Sequence, residues 1–116
     1  MATEEPWNQA HATDKIREIA AHEDFDLLIT SHAQARMGER ALIMGDLLYV
    51  MRMGFVQAEP VPSTQPNYYK YRMQTTSPNS GGREVGIVLI PDYERWHIKI
   101  VTVMWIDEQA TKAGTI

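Results

Sequence analysis

The chain has no cysteine, which excludes a disulfide framework and a thiolate-held metal. It also lacks a long apolar run. The longest, residues 85–90 interrupted only by Gly86, is far short of the ~20 residues that span a bilayer. The opening Met1-Ala2-Thr3-Glu4-Glu5-Pro6 is acidic and has no apolar core, so no signal peptide and no membrane association are expected. With the absence of cysteine, this leads us to expect a cytoplasmic protein. There is no glycine-rich phosphate loop and no nucleophile motif. Nor is there a basic excess. The net charge of −4 argues against generic nucleic-acid binding, but it is unevenly spread. Residues 1–30 carry seven acids against two bases, while residues 31–106 carry eight bases against six acids. The acidity is therefore mainly N-terminal, and the remainder is mildly basic.

What is present suits one soluble domain of 116 residues, 44% hydrophobic and 22% charged. Ala12, Ile16, Ile19 and Ala20 keep a helical period, with Asn8 or Thr13 as N-cap. A short strand is expected at residues 26–30, then a helix capped by Ser31 that bends or ends near Arg40 because of Gly38. A third helix, residues 45–53, is apolar almost all round and should be heavily buried, with Gly54 just past its end. The period then changes to two. Strands are expected at residues 55–58, 68–75, 84–90 and 96–106, the third of them central and covered on both faces. In the second strand Tyr69, Tyr71 and Met73 face one way, and Lys70, Arg72 and Gln74 the other. Helices followed by strands predict an α+β fold, with N-terminal helices packed on one face of an antiparallel sheet of about four strands. The expected organisation is an extension with a helix over 1–26, the α+β domain over 27–106, and a tail over 107–116.

The stretch Ser31-His32-Ala33-Gln34-Ala35-Arg36-Met37-Gly38-Glu39-Arg40 holds the most chemistry. At helical spacing His32, Arg36, Glu39 and Arg40 share one side, beside an apolar strip of Ala33, Met37 and Ala41. Two accounts are open. The cluster is an anion site, or it is a solvated face in which Arg36 and Glu39 form an ordinary i, i+3 ion pair and His32 packs near a helix start.

Residues Ile29-Thr30-Ser31-His32-Ala33, Arg36-Met37-Gly38-Glu39-Arg40, the apolar helix ending in Gly54, Tyr69-Lys70-Tyr71-Arg72 and Ile100-Val101-Thr102-Val103 together resemble the domain of unknown function 4258 family. That family is similar to BrnT and, more distantly, to RelE/ParE-like toxins. The resemblance covers about residues 27–106. It implies a small sheet with helices on one side, metal-independent RNA cleavage in some relatives, and neutralisation by an antitoxin protein. The acidic balance and the extra N-terminal helix depart from the toxin pattern.

Metal-free RNA cleavage requires a proton carrier, charge stabilisation at phosphorus and protonation of the leaving oxygen. His32 suits the first task, because only histidine titrates near neutrality unperturbed. Arg36 and Arg40 offer planar bidentate donors to phosphate. Tyr71 and Arg72 are further candidates, but they lie on opposite faces of one strand, so at most one can join the site. The expected function is a toxin-like, metal-independent endoribonuclease acting on RNA through His32, Arg36, Arg40, Tyr71 and Arg72, without cofactor. The alternative is a non-catalytic protein-interaction module of the same fold. A homodimer through an apolar edge or Trp105 is a third account. His97 and Lys99 alternate with Trp96, Ile98 and Ile100 and mark the solvent side of a strand.

Overall fold

Alternation along the strands decides which side of the sheet the helices cover. The computed structural model describes residues 5–108. Its elements are α1 (Gln9–Ala21), β1 (Asp26–Ile29), α2 (Ser31–Arg40), α3 (Met44–Met53), β2 (Phe55–Val56), β3 (Val61–Pro62), β4 (Tyr69–Thr76), β5 (Glu84–Asp92), a 3-10 turn (Tyr93–Arg95) and β6 (His97–Trp105). The fold is α+β. The strand order is β1-β6-β5-β4-β2, with β3 also paired to β4.

The sheet is mixed and six-stranded, where about four antiparallel strands were expected. Two features account for the difference. Short β1 joins the sheet in parallel with β6, as in Asp26 opposite His97 and Ile29 opposite Ile100. The proline-rich segment also contributes two residues, Val61 opposite Lys70 and Pro62 opposite Tyr69. The β1 pairing is set by a partner far along the chain and the β3 pairing by a hairpin with β4, and no local period announces either.

One face of the sheet is the core. Tyr71 and Met73 of β4, Val85, Ile87 and Leu89 of β5, and Ile98 and Ile100 of β6 are buried there beneath Ile16 and Ile19 of α1 and Leu47, Val50 and Met51 of α3. The helix within residues 1–26 thus contributes to the same core as the rest. On β6 the inward parity changes. Val88 pairs with Thr102 but Leu89 pairs with Ile100, leaving Val101 as an extra residue. This bulge shifts the alternation by one, so Val103 and Trp105 rejoin the buried face. The opposite face of β5 is only half-covered at Val88 and Ile90, so this strand is central but not sandwiched.

The sheet's two edges differ. At β2, Val56 N–H donates to Thr13 Oγ1 at 2.9 Å, and Arg17 Nε donates to the Gly54 carbonyl at 2.9 Å, so α1 seals the edge. Gly54 itself is extended, and its constraint is space: a Cβ there would lie 2.5 Å from the Val50 carbonyl oxygen. At the other end β1 covers only the first half of β6, and α2 lies along the second half. The N-cap of α2 is Thr30 rather than Ser31, which begins the helix. Its last turn closes with Ala41 in the left-handed region, Leu42 N–H donating to the Met37 carbonyl at 2.9 Å, and Trp105 Nε1 donating to the Arg40 carbonyl at 3.0 Å. Apart from its neighbours on the sheet, α3 is held by Asp46, whose buried carboxylate accepts from Ile43 N–H at 3.0 Å and from the Ser77 hydroxyl at 2.6 Å.

Candidate functional site

The charged side of α2 resolves into a small ion-pair cluster. Arg36 and Arg40 both donate to one Glu39 oxygen, at 2.6 and 3.3 Å. His32, one turn earlier, takes no part. It is exposed, and its ring has no hydrogen-bond partner among the described residues.

Tyr71 lies on the other side of the sheet from Arg72, as strand alternation requires. It is 1% exposed, its ring stacks on Trp7 at 5.6 Å between centroids, and its hydroxyl donates to Glu5 Oε2 at 2.9 Å while accepting from Trp7 N–H at 3.0 Å. Burial pushes the phenol well above its usual range. Burial likewise raises the Glu5 carboxyl from 4.5 to about 7; the Tyr71 hydrogen bond opposes this, and the nearby Asp92 charge adds to it. Tyr71 therefore belongs to the packed side with the N-terminal residues, and the structure does not bring it to His32.

His32 instead shares a cleft with a pair of lysines. It lines a cleft of about 330 Å³ on the open face of the sheet with Thr30, Thr64, Lys70, Ile90 and Lys99. Register explains the convergence. Tyr71 opposes Leu89, Leu89 opposes Ile100 and Ile90 opposes Lys99, so Lys70, Ile90 and Lys99 fall on one row facing away from the core. Arg72 opposes Val88 on the next row of the same face. The cleft is roofed by the arm between β3 and β4. That arm closes on itself through Ser63 N–H to the Tyr68 carbonyl at 2.9 Å and Gln65 N–H to Ser63 Oγ at 3.1 Å. It is pinned to β5 by the Tyr68 hydroxyl donating to Asp92 Oδ2 at 2.9 Å.

Lys70, Arg72 and Lys99 form no ion pair or hydrogen bond among the described residues, and buried Arg72 Nε is left without a partner. Every other described cation is engaged. Lys15 approaches Glu18 and the Tyr93 ring, Arg17 and Arg52 donate to backbone carbonyls, and Arg36, Arg40, Arg83 and Arg95 pair with carboxylates. The three unpaired charges thus share a single face.

The cleft continues beneath the arm into a space of about 310 Å³, which shares Ile90 and Lys99 with it and adds Asp92, Arg95 and His97. There the polar groups already have partners: Arg95 pairs with Asp92 at 2.9 Å, and His97 Nδ1 lies 2.8 Å from Asp26 Oδ2. A third space, about 260 Å³, follows past Tyr68, Asp92 and Arg95 and is bounded by Glu5 and Glu94. The groove is basic at the His32 end and acidic at the Glu5 end.

Lys70 and Lys99 were not among the sequence-based candidates. Strand alternation puts each on a solvent side, but only the cross-strand register makes those sides adjacent. No protein-family model, no curated protein and no solved structure matches the chain.

Proposed function

We propose that the open face of the sheet binds the phosphate backbone of RNA and that His32 moves a proton there, in a toxin-like, metal-independent endoribonuclease. The observation that carries this reading is the confinement of the unpaired cations Lys70, Arg72 and Lys99 to one face, beside an unpartnered imidazole. An uncompensated cation cluster draws an anion, and a polyanion satisfies several such charges at once. In this reading His32 takes the 2′-hydroxyl proton as that oxygen bonds to phosphorus and the P–O5′ bond breaks, Lys70 and Lys99 hold the charge that builds on the phosphate oxygens, and the departing 5′-oxygen takes a proton from water. Arg36 and Arg40 act only where a substrate draws them from Glu39, and Tyr71 supports the sheet from its buried side. The resemblance of residues 27–106 to the domain of unknown function 4258 family, and through it to a RelE-like arrangement with an antitoxin partner, agrees with this reading.

The test is cleavage and binding of single-stranded RNA in the presence of a chelator. The expected result is cleavage lost in H32A at unchanged thermal stability, and binding weakened in K70Q and K99Q. Failure of the wild type to bind RNA at low salt overturns the reading. One observation favours the interaction module instead: Leu28, opposite Lys99 at the sheet margin, is 50% exposed. An acidic segment of a partner protein with an apolar side chain would cover both. That reading predicts a stable protein complex, no RNA cleavage, and no effect of H32A.

A further inference from the structure

We infer that the cleft beside His32 receives a terminal phosphate, the phosphomonoester at one end of an RNA strand, and that the strand runs from there over Arg72. This rests on the proposal that the open face binds RNA, and it adds which part of the RNA sits where.

The inference follows from how the unpaired charges are distributed along the groove. Lys70 and Lys99 both line the cleft with His32, and the hydroxyl of Thr64 on the arm has no hydrogen bond among the described residues. Two ammonium groups, an imidazole and a hydroxyl exceed the single charge of a resting phosphodiester, whose charge rises only as the cleavage proposed above proceeds. They suit a phosphomonoester, which carries about −1.5 to −2 at neutral pH and three strong acceptor oxygens. Lysine serves such a group as a mobile point charge, without the fixed fork of arginine.

The groove also has a direction. Past Lys99, towards β5's end, Arg95 is committed to Asp92 and His97 to Asp26. A second phosphate there would find no uncommitted cation and would face those carboxylates, with Glu5 and Glu94 beyond. In the other direction Arg72 stands two residues along β4 from Lys70 on the same face, about 7 Å at strand rise. One row further, Gln74 is already donating to Glu84 at 2.7 Å. The free cations therefore form a short track, bounded at the Lys99 end by committed charges and beyond Arg72 by Gln74 and the Glu84 carboxylate, with its surplus of charge in the cleft. A strand laid on it places its terminus in the cleft.

The experiment compares the affinities of one single-stranded RNA sequence made with a 5′-phosphate, with a 3′-phosphate, and with hydroxyls at both ends. Full-length protein is used, and binding is read by fluorescence anisotropy. One of the phosphorylated forms should bind about tenfold or more tightly than the dihydroxyl form. K99Q, and independently K70Q, should bring its affinity down to that of the dihydroxyl form. R72Q should weaken all three oligonucleotides by a common factor. Thermal melts of each variant separate loss of binding from loss of fold. Equal affinity of wild-type protein for all three RNAs overturns the terminal-phosphate inference while leaving the RNA reading intact. Absence of binding to any of them at low salt overturns both.

Discussion

The Thr30 hydroxyl joins two elements at one atom: it donates to the Val101 carbonyl at 3.2 Å and accepts from Ala33 N–H at 3.1 Å. Val101 is the bulged residue of β6, whose carbonyl lies at the interruption of the ladder, so the cap of α2 is also the clasp that holds it to the sheet. Loss of this hydroxyl in T30V should cost about 1–2 kcal/mol, as N-cap removal does, with T30S retaining most of the stability. Urea unfolding of the three proteins measures this.

The Glu5 carboxyl, raised to about 7, makes stability depend on pH in a defined direction. The fold favours its protonated form, whereas the unfolded chain ionises it near the ordinary carboxyl value of 4.5. The contribution is therefore complete below about 4.5 and is lost as pH rises through about 7. E5Q should flatten the slope of Tm against pH between those values. A slope unchanged in E5Q would assign the dependence elsewhere.

Asp46 is 2% exposed and accepts from both Ile43 N–H and the Ser77 hydroxyl. Its removal in D46A strands the buried Ser77 hydroxyl and the half-buried Ile43 N–H, and about 2–3 kcal/mol of stability should be lost. D46N, which keeps an acceptor oxygen, should lose less. The midpoint of urea denaturation should fall while its slope stays constant.

If Lys70, Arg72 and Lys99 neutralise three phosphate charges, two of them on the terminal group, affinity for single-stranded RNA should fall with salt along a log–log slope of roughly −2, at about 0.7 per charge. Each neutralising substitution should reduce that slope by about 0.7. E39Q provides a contrast in the other cluster. Its exposed ion pairs are worth little, and stability should change by less than about 1 kcal/mol.

Local periods, set by backbone geometry within one element, were readable without the fold. They separated Tyr71 and Met73 from Lys70 and Arg72, placed Ile16 and Ile19 on one side of α1, offered Asn8 beside Thr13 as its cap, and gave the Arg36–Glu39 pair as one of two accounts; the structure chose Asn8 and formed the pair. Relations between elements were not readable. The partner of β1 lies some seventy residues away on β6, and its parallel direction leaves no mark in the four residues Asp26–Ile29. The bulge at Val101 reverses parity midway along a strand that reads as uniform. The sequence by itself determined which side chains could share a face of an element, because that follows from 3.6- and 2-residue repeats. Only the tertiary structure decided which faces meet and which charges find partners, because register and ion pairing are settled between residues far apart in the chain. That is why, among the described residues, the cations left over are Lys70, Arg72 and Lys99, and not the arginines of α2.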